Sequence, residues 1–130
     1  MEVEATTRYV RLSPRKGRDL ARAVQGLPLR EALAIARLTR RKAAFHLWKT
    51  LRSAQANAEN NHDLDAGSLF VKEAAIQDGP RLRRWWPRAR GMASPIRRRL
   101  CHIRVVLSDE PPHGSPRRAR GGGGQKVEGR

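Results

Sequence analysis

The sequence is poor in several residue types, and each shortage excludes a class of protein. One cysteine, Cys101, occurs in 130 residues, so there is neither a disulfide framework nor a thiol pair for metal or redox chemistry. Aromatic residues make up 5% of the chain, and no run of about 18 apolar residues is present that could span a membrane. The first residues, 1–5, are acidic and carry no apolar signal core. We therefore expect a cytoplasmic protein with no membrane partner.

Acidic residues are absent between Asp78 and Asp109, a stretch that contains nine arginines. The formal net charge of the whole chain is +16, and a charge this far from zero implies an acidic partner, with nucleic acid as the first candidate. Arginine binds phosphate oxygens with two parallel hydrogen bonds and stacks on bases. The ordinary alternative is a solvated basic surface, but such surfaces usually mix charges of both signs. The stretch therefore favours nucleic-acid binding.

The spacing of apolar residues predicts one short strand followed by three amphipathic helices. Ser13 and Pro14 are typical of a helix start, and Gly26 is typical of a helix end. The hydrophobic content of 38% is enough for one modest core. The expected elements are a strand at 7–12, a helix at 14–25, a second helix at 29–38, and a third helix that follows the cap Thr39 and reaches about Asn60.

Two further strands are predicted at residues 69–76 and 100–107, on either side of the arginine-rich stretch. Fully extended, the roughly 20 residues from Phe70 to Arg90 would reach about 65 Å. A bare two-stranded ribbon is marginal in water, so we expect its order to depend on a partner. The predicted fold class is α+β: three helices packed on a small antiparallel sheet, with a long protruding β-hairpin. The expected organisation is a single domain at 1–108, with the hairpin extension at about 77–100, and a disordered basic tail rich in Gly, Pro and Arg at 109–130.

No catalytic, metal or cofactor site is predicted. Cys101 and His102 are neighbours on a predicted strand, so their side chains point to opposite faces and cannot form a nucleophile–base pair. Residues 61–65 resemble the start of a calcium loop, but Ala66 replaces the required glycine and Lys72 replaces the final acidic ligand. A turn after the third helix is the better interpretation, and Cys101 is expected to be a small buried thiol.

Basic and aromatic residues outside the core are the candidates for binding. Four basic residues between Arg15 and Arg22 cluster near the start of the first helix, where free backbone N–H groups also favour phosphate. The alternative for them is a solvated helix face. Trp85 and Trp86 lie among arginines, which leaves two interpretations open: stacking on exposed bases, or packing against each other across the hairpin.

Several blocks of the sequence, taken together, resemble the bacterial large-subunit ribosomal protein 22 family over about residues 7–107. No single block is decisive, but the set occurs in the family's order and is specific. The blocks are RYVRLSPRK at 8–16, EALAI at 31–35, KAA at 42–44, SAQANAENNHDLD at 53–65, VKEA at 71–74, GP at 79–80, PRARG at 87–91 and HIxVV at 102–106. Met92 departs from the usual arginine after Gly91, and Trp86 places a large ring near the tip.

The resemblance implies a structural constituent of the large ribosomal subunit and not an enzyme. It implies a body near the outer end of the polypeptide exit tunnel, a hairpin threaded through 23S rRNA whose tip lines the tunnel wall, and a role in early assembly. The implied partners are 23S rRNA, neighbouring large-subunit ribosomal proteins and the nascent polypeptide, with no homo-oligomer. The residues expected to bind rRNA are Arg15, Lys16, Arg18, Arg81, Arg83, Arg84, Arg97, Arg98 and Arg99. The residues expected at the tunnel tip are Trp85, Trp86, Arg88, Arg90, Gly91 and Met92.

Two rival functions are weaker on the residues themselves. A nucleoid protein could use the first two helices as a helix-turn-helix, but the second helix has no asparagine or glutamine to read bases, and the most basic segment lies elsewhere. An anion-binding enzyme would need an acid, a base or a nucleophile, and none can be named.

Overall fold

The computed structural model describes residues 1–112. Within this range the predicted α+β class is confirmed, with three helices and three antiparallel strands. Two single 3₁₀ turns complete the chain order, Ala66–Ser68 before the second strand and Ala89–Gly91 before the third. The elements are β1 (Glu2–Val10), α1 (Pro14–Val24), α2 (Leu29–Leu38), α3 (Lys42–His62), β2 (Phe70–Pro87) and β3 (Ala93–Ser108). Of the tail predicted at 109–130, residues 113–130 lie outside the described part of the chain.

The sheet has the strand order β1-β3-β2, with β3 at its centre. β3 is paired on both sides, with β1 and with β2, and its apolar run Val105–Leu107 is buried. The first strand differs from the prediction of 7–12, since β1 covers Glu2–Val10. Alternation explains the difference: Val3 and Ala5 face the core, whereas Glu2 and Glu4 point outward and make ion pairs with Lys72 of β2 and Arg104 of β3.

The helices pack on one face of this sheet through small and aliphatic side chains. In α3 the apolar residues recur at helical spacing and form a buried stripe, namely Ala43, Ala44, Leu47, Leu51, Ala54 and Ala58. In α2, Leu29, Ala32 and Ala36 are buried and Leu33 packs against the core from its edge. None of the helices in the described part of the chain is long and apolar enough to cross a membrane.

The prediction that Thr39 caps α3 is wrong. Its backbone N–H and its side-chain hydroxyl both donate to the carbonyl of Ile35, at 3.1 and 2.7 Å, so Thr39 closes α2 instead. The residue that precedes α3 is Arg41, which makes no side-chain capping bond. Ser13 does occupy the cap position of α1, also without a side-chain capping bond.

The hairpin is continuous with the sheet and begins where the pairing of β2 with β3 shifts register. Below the shift, Ile76 pairs with Ile103 and Asp78 with Cys101; above it, the arms pair from Arg81–Arg99 to Pro87–Ala93. Gly79 lies in this shift, and a Cβ atom built on it would lie 3.0 Å from the carbonyl carbon and oxygen of Leu100. The absence of a side chain therefore lets the two strands approach where the hairpin leaves the body.

Gly79→Ala is expected to lower the free energy of unfolding by about 1–3 kcal/mol, because the atoms that a methyl group meets are backbone atoms that cannot move without disturbing the strand pairing. Urea denaturation of the full chain measures this. The matched control is Gly67→Ala, where the nearest atoms are the Asp65 side chain at 3.4 Å or more. Equal stability of the two variants would contradict the close approach at Gly79.

Candidate nucleic-acid interface

The register of the hairpin arms places arginines directly opposite each other. Arg81 pairs with Arg99, and Arg83 pairs with Arg97. Residues directly opposite in an antiparallel pair point to the same face, as do alternate residues along a strand. Four guanidinium groups therefore share one face of the ribbon, and like charges in this arrangement destabilise the pairing. An anion bound along this face would remove the repulsion.

The opposite face of the arms mixes cations with aliphatic groups. Leu82 is paired with Arg98, and Arg84 is paired with Ile96. Leu82 and Ile96 are half-buried, whereas the arginines are exposed. Since both faces carry guanidinium groups, the arms present positive charge on two sides.

The hairpin arginines make no ion pairs within residues 1–112, whereas four cations of the body, Arg18, Arg41, Lys72 and Arg104, are each paired with a carboxylate. Arg84 donates to the carbonyl of Arg83 at 2.7 Å, and Arg88 donates to the hydroxyl of Ser94 at 2.9 Å, but no carboxylate approaches any of the eight arginines from Arg81 to Arg99. In contrast, Arg104 makes a two-pronged bond to Glu4 at 2.9 and 3.0 Å, which lowers the pKa of the Glu4 carboxyl. The hairpin charge is thus left for a partner outside the described residues.

A first pocket of about 600 Å³ forms where the hairpin base meets the body. It joins residues from the β1–α1 connection, α1, α3, β2 and β3, and no acidic residue lines it. Its cations are Arg11, Lys16, Lys42, Arg84, Arg97, Arg98 and Arg99. The prediction from sequence missed Arg11 and Lys42, because it considered only two basic clusters, the start of the first helix and the hairpin. Lys42 donates to the carbonyl of Arg11 at 2.7 Å, so α3 holds this connection in place.

A second pocket of about 240 Å³ lies beside the start of α1. Arg15, Arg81 and Arg99 line it together with Arg18 and Asp78. Arg18 is already engaged, since it donates to the Asp78 carboxylate at 3.2 Å and to the carbonyl of Ile76 at 3.3 Å. It therefore ties α1 to β2 and has less capacity for an external anion than its neighbours.

These two pockets bring together eight of the nine residues predicted to bind rRNA, because the start of α1 packs beside the hairpin base. Arg83 is the exception and lies on the exposed arm. The first turn of α1 contains no acidic residue and Ser13 provides no side-chain cap, so its N–H groups add a positive field to the same region. The structure thus joins the two basic clusters that the sequence showed as separate.

The residues predicted for the tip occupy two different places. Trp85 and Trp86 belong to β2, opposite Pro95 and Ser94, with 64% and 51% of their surface exposed. As neighbours on one strand their rings point to opposite faces. The interpretation that the two rings pack against each other across the hairpin is therefore wrong, and both rings are open to a partner.

The turn itself comprises residues 88–92. The N–H of Arg88 donates to the carbonyl of Met92 at 2.7 Å, and Arg90 and Gly91 both adopt positive φ, 60° and 68°. Two successive residues of this kind reverse the chain within one 3₁₀ turn, and glycine adopts such a conformation without steric cost. The side chains of Arg88, Arg90 and Met92 are exposed at the far end of the ribbon.

The residues rejected as catalytic or metal sites have structural roles. Cys101 is fully buried, and burial together with the charge of Asp78 raises the pKa of its thiol, so it is held in the unreactive protonated form. His102 accepts a hydrogen bond from the N–H of Tyr9 at its Nδ1 atom, 3.0 Å away. Asp65 accepts from the N–H of Gly67 at 3.1 Å in a turn, as predicted. No cluster of metal-binding side chains occurs within the described residues.

The fold and this surface together define a class: a small α+β protein with a cationic hairpin. Comparison with known proteins identifies the family, since the family model described as ribosomal protein L22p/L17e matches residues 5–108. The chain belongs to this family, as the sequence blocks predicted, and is a ribosomal protein.

Relatives named large ribosomal subunit protein uL22 cover most of the chain. The relative from Opitutus terrae is 52% identical over 109 residues, which is 84% of this chain and 96% of that protein. The relative from Thermomicrobium roseum is 47% identical over 117 residues, 90% of this chain and 99% of that protein. The relative from Thermotoga sp. (strain RQ2) is 44% identical over 119 residues, 92% of this chain and 75% of that protein. The nucleoid-protein interpretation is not supported by these matches.

Proposed function

We propose that this protein is a structural, non-enzymatic constituent of the large ribosomal subunit and binds 23S rRNA through its hairpin arms and the two pockets at the hairpin base. The observation that carries the proposal is the set of eight hairpin arginines that make no ion pair within residues 1–112, four of them facing like charges across the strands. Phosphates that neutralise such a set release condensed counterions, which drives binding without base specificity. The ribbon gains its order as its charge is neutralised.

Charge on both faces of the arms favours a ribbon enclosed by RNA over one that lies on an RNA surface. Alternate residues on one face of a strand are spaced by about 6.6 Å, so each row of arginines can bind successive phosphate groups with planar, two-pronged hydrogen bonds. The half-buried Leu82 and Ile96 interrupt the charge on the second face. That face is the better candidate for contact with sugars and base edges.

The first pocket connects the hairpin to the body, and this supports a role in early assembly. Arg11 and Lys42 belong to the body, whereas Arg84 and Arg98 belong to the arms. A phosphate bound between them would hold the hairpin at one angle to the helices. An RNA strand held there and another held along the arms would be brought together by one protein, before other contacts form.

The tip is proposed to line the polypeptide exit tunnel and to meet the nascent polypeptide. Trp85 and Trp86 expose ring faces on opposite sides of the ribbon just below the turn, where stacking on bases contributes roughly 1–3 kcal/mol per base in other systems. The exposed side chains of Arg88, Arg90 and Met92 lie beyond them and have no contact with the body of this chain to hold them inward. Neighbouring ribosomal proteins are the remaining expected partners.

The proposal is tested by sedimenting an epitope-tagged full chain from cell lysate through a high-salt sucrose cushion. We expect it to be retained with the large subunit in the cytoplasmic fraction, because a hairpin enclosed by folded RNA stays trapped even though high salt weakens its individual phosphate contacts. The tag fused to an unrelated basic protein serves as the control for nonspecific attraction. Recovery of the chain in the free or DNA-bound fraction would refute the proposal.

A further inference from the structure

A second stretch without acidic residues occupies the helices α2 and α3. Between Glu31 and Glu59 the sequence has no aspartate or glutamate and has six cations. The six are Arg37, Arg40, Arg41, Lys42, Lys49 and Arg52. This stretch is basic like the hairpin, but the surface that it forms has a different chemistry.

Two adjoining grooves of about 500 and 590 Å³ run along this surface and share Arg37 and Trp48. They share no residue with the two pockets at the hairpin base. Their floor is apolar and is formed by Leu33, Ala36, Leu38, Phe45 and Trp48. We call these two grooves together the α2–α3 groove.

The floor of the α2–α3 groove exposes large apolar side chains to solvent. Leu38 has 81% of its surface exposed and Phe45 has 52%. Trp48 lies between them and packs partly against the core. An apolar surface of this kind rimmed by charge is typical of an interaction site.

The rim of the groove has free positive charge. Arg41 is paired with Asp19 at 2.6 Å and also donates to the carbonyl of Lys16. Arg37, Arg40 and Arg52 make no ion pair with any residue in the range 1–112. A partner that complements this rim must carry negative charge.

The geometry of Phe45 disfavours nucleic acid as that partner. The ammonium group of Lys49 lies 4.8 Å from the centre of the Phe45 ring, and the His46 ring meets the same ring at 5.5 Å with an angle of 70° between planes. A base that stacks on the ring would have to displace the lysine, whereas aliphatic side chains can use the ring edge and the neighbouring Leu38. Phosphate alone would leave the apolar floor uncovered.

We infer that the α2–α3 groove binds an acidic amphipathic segment of another protein. Its apolar side chains cover Leu38, Phe45 and Trp48, and its carboxylates pair with Arg37, Arg40 and Arg52. This goes beyond the proposed binding of rRNA, since it assigns a protein-binding role to a surface that the hairpin does not use.

The test measures the affinity of the isolated full chain for a fluorescein-labelled helical peptide with leucine along one face and glutamate along the other, by fluorescence anisotropy near 0.15 M salt. The variant Leu38→Ser/Phe45→Ser keeps the net charge and removes the apolar floor, so its Kd is expected to rise roughly 10–100-fold. Both side chains are largely exposed, and a circular dichroism spectrum equal to that of the wild type checks that the variant folds.

The matched control is Arg97→Ala/Arg98→Ala/Arg99→Ala, which removes three charges from the hairpin and should bind the peptide almost as the wild type does. The inference is overturned if the groove variant binds the peptide normally, or if the hairpin variant loses affinity equally, which would indicate general electrostatic attraction. It is also overturned if the groove variant loses affinity for a labelled RNA oligonucleotide and not for the peptide. Retention of the protein in the large subunit is independent of all these outcomes.

Discussion

Replacing Arg97, Arg98 and Arg99 with alanine is expected to lower the affinity of the full chain for a large-subunit rRNA fragment by roughly 10²–10³-fold near 0.1 M salt. These residues line the first pocket, and Arg99 also lines the second, so the change removes positive charge from both. Arg97 and Arg99 also belong to the face where arginines oppose each other. The free ribbon should therefore be no less stable, and the loss should appear only in binding.

The salt dependence separates phosphate contacts from other effects. Each phosphate contact contributes about 0.7–0.9 to the slope of log K against log salt concentration, so the triple variant should reduce the magnitude of the slope by about 2–3. The matched control is Arg8→Ala/Arg30→Ala/Arg52→Ala, which removes the same net charge from exposed positions that line neither pocket. An equal change of slope in both variants would mean that total charge matters and that the hairpin site does not.

Replacing the turn Arg88–Met92 with Asn-Gly is expected to leave the protein in the large subunit and to alter the tunnel wall. A two-residue Asn-Gly turn closes antiparallel strands well, so the pairing of Pro87 with Ala93 can be kept. The turn residues are exposed and make no contact with the helices, which is why the body should fold normally. Sedimentation measures incorporation of the variant into the large subunit. Chemical probing, with and without a macrolide, measures the reactivity of the rRNA nucleotides that line the tunnel.

The single change Arg90→Gly separates the side chain from the backbone of the turn. Arg90 has φ of 60°, a conformation that glycine adopts readily, so this variant should preserve the turn and remove one guanidinium group. If the Arg90 side chain contacts rRNA, we expect the chemical reactivity of the rRNA near the hairpin tip to change in both variants. Loss of the Asn-Gly variant from mature subunits would instead show that the turn is needed for assembly.

Much of the fold follows from local patterns in the sequence. The α3 stripe, the bounds of α2 and the start of α1 at Pro14 agree with the structure, because apolar residues at helical spacing and a proline at the first position act within one turn or a few turns. The α+β class with a long β-hairpin was also predicted. Family membership could be predicted as well, since the motifs that carry it are continuous blocks.

The predictions that failed depended on hydrogen bonds and strand pairing that residue type alone does not show. Thr39 and Ser13 are equally good caps by residue type, but the Thr39 hydroxyl turns back to Ile35. The early start of β1 depends on Glu4 meeting Arg104, which lies a hundred residues away in the chain. The register also extends β2 through Trp85 and Trp86, so both lie on the strand just before the turn.

By itself the sequence determined that the protein is basic and that much of its positive charge is concentrated between Asp78 and Asp109. Charge and composition are properties of the chain and need no fold. Only the tertiary structure decided that Arg11 and Lys42 join the hairpin arginines in one pocket, that Arg18 is engaged by Asp78, and that Leu38 and Phe45 form an exposed groove. These depend on the angles at which helices pack on the sheet and on strand register, because distances between residues far apart in sequence are set by the packed core and not by local preference.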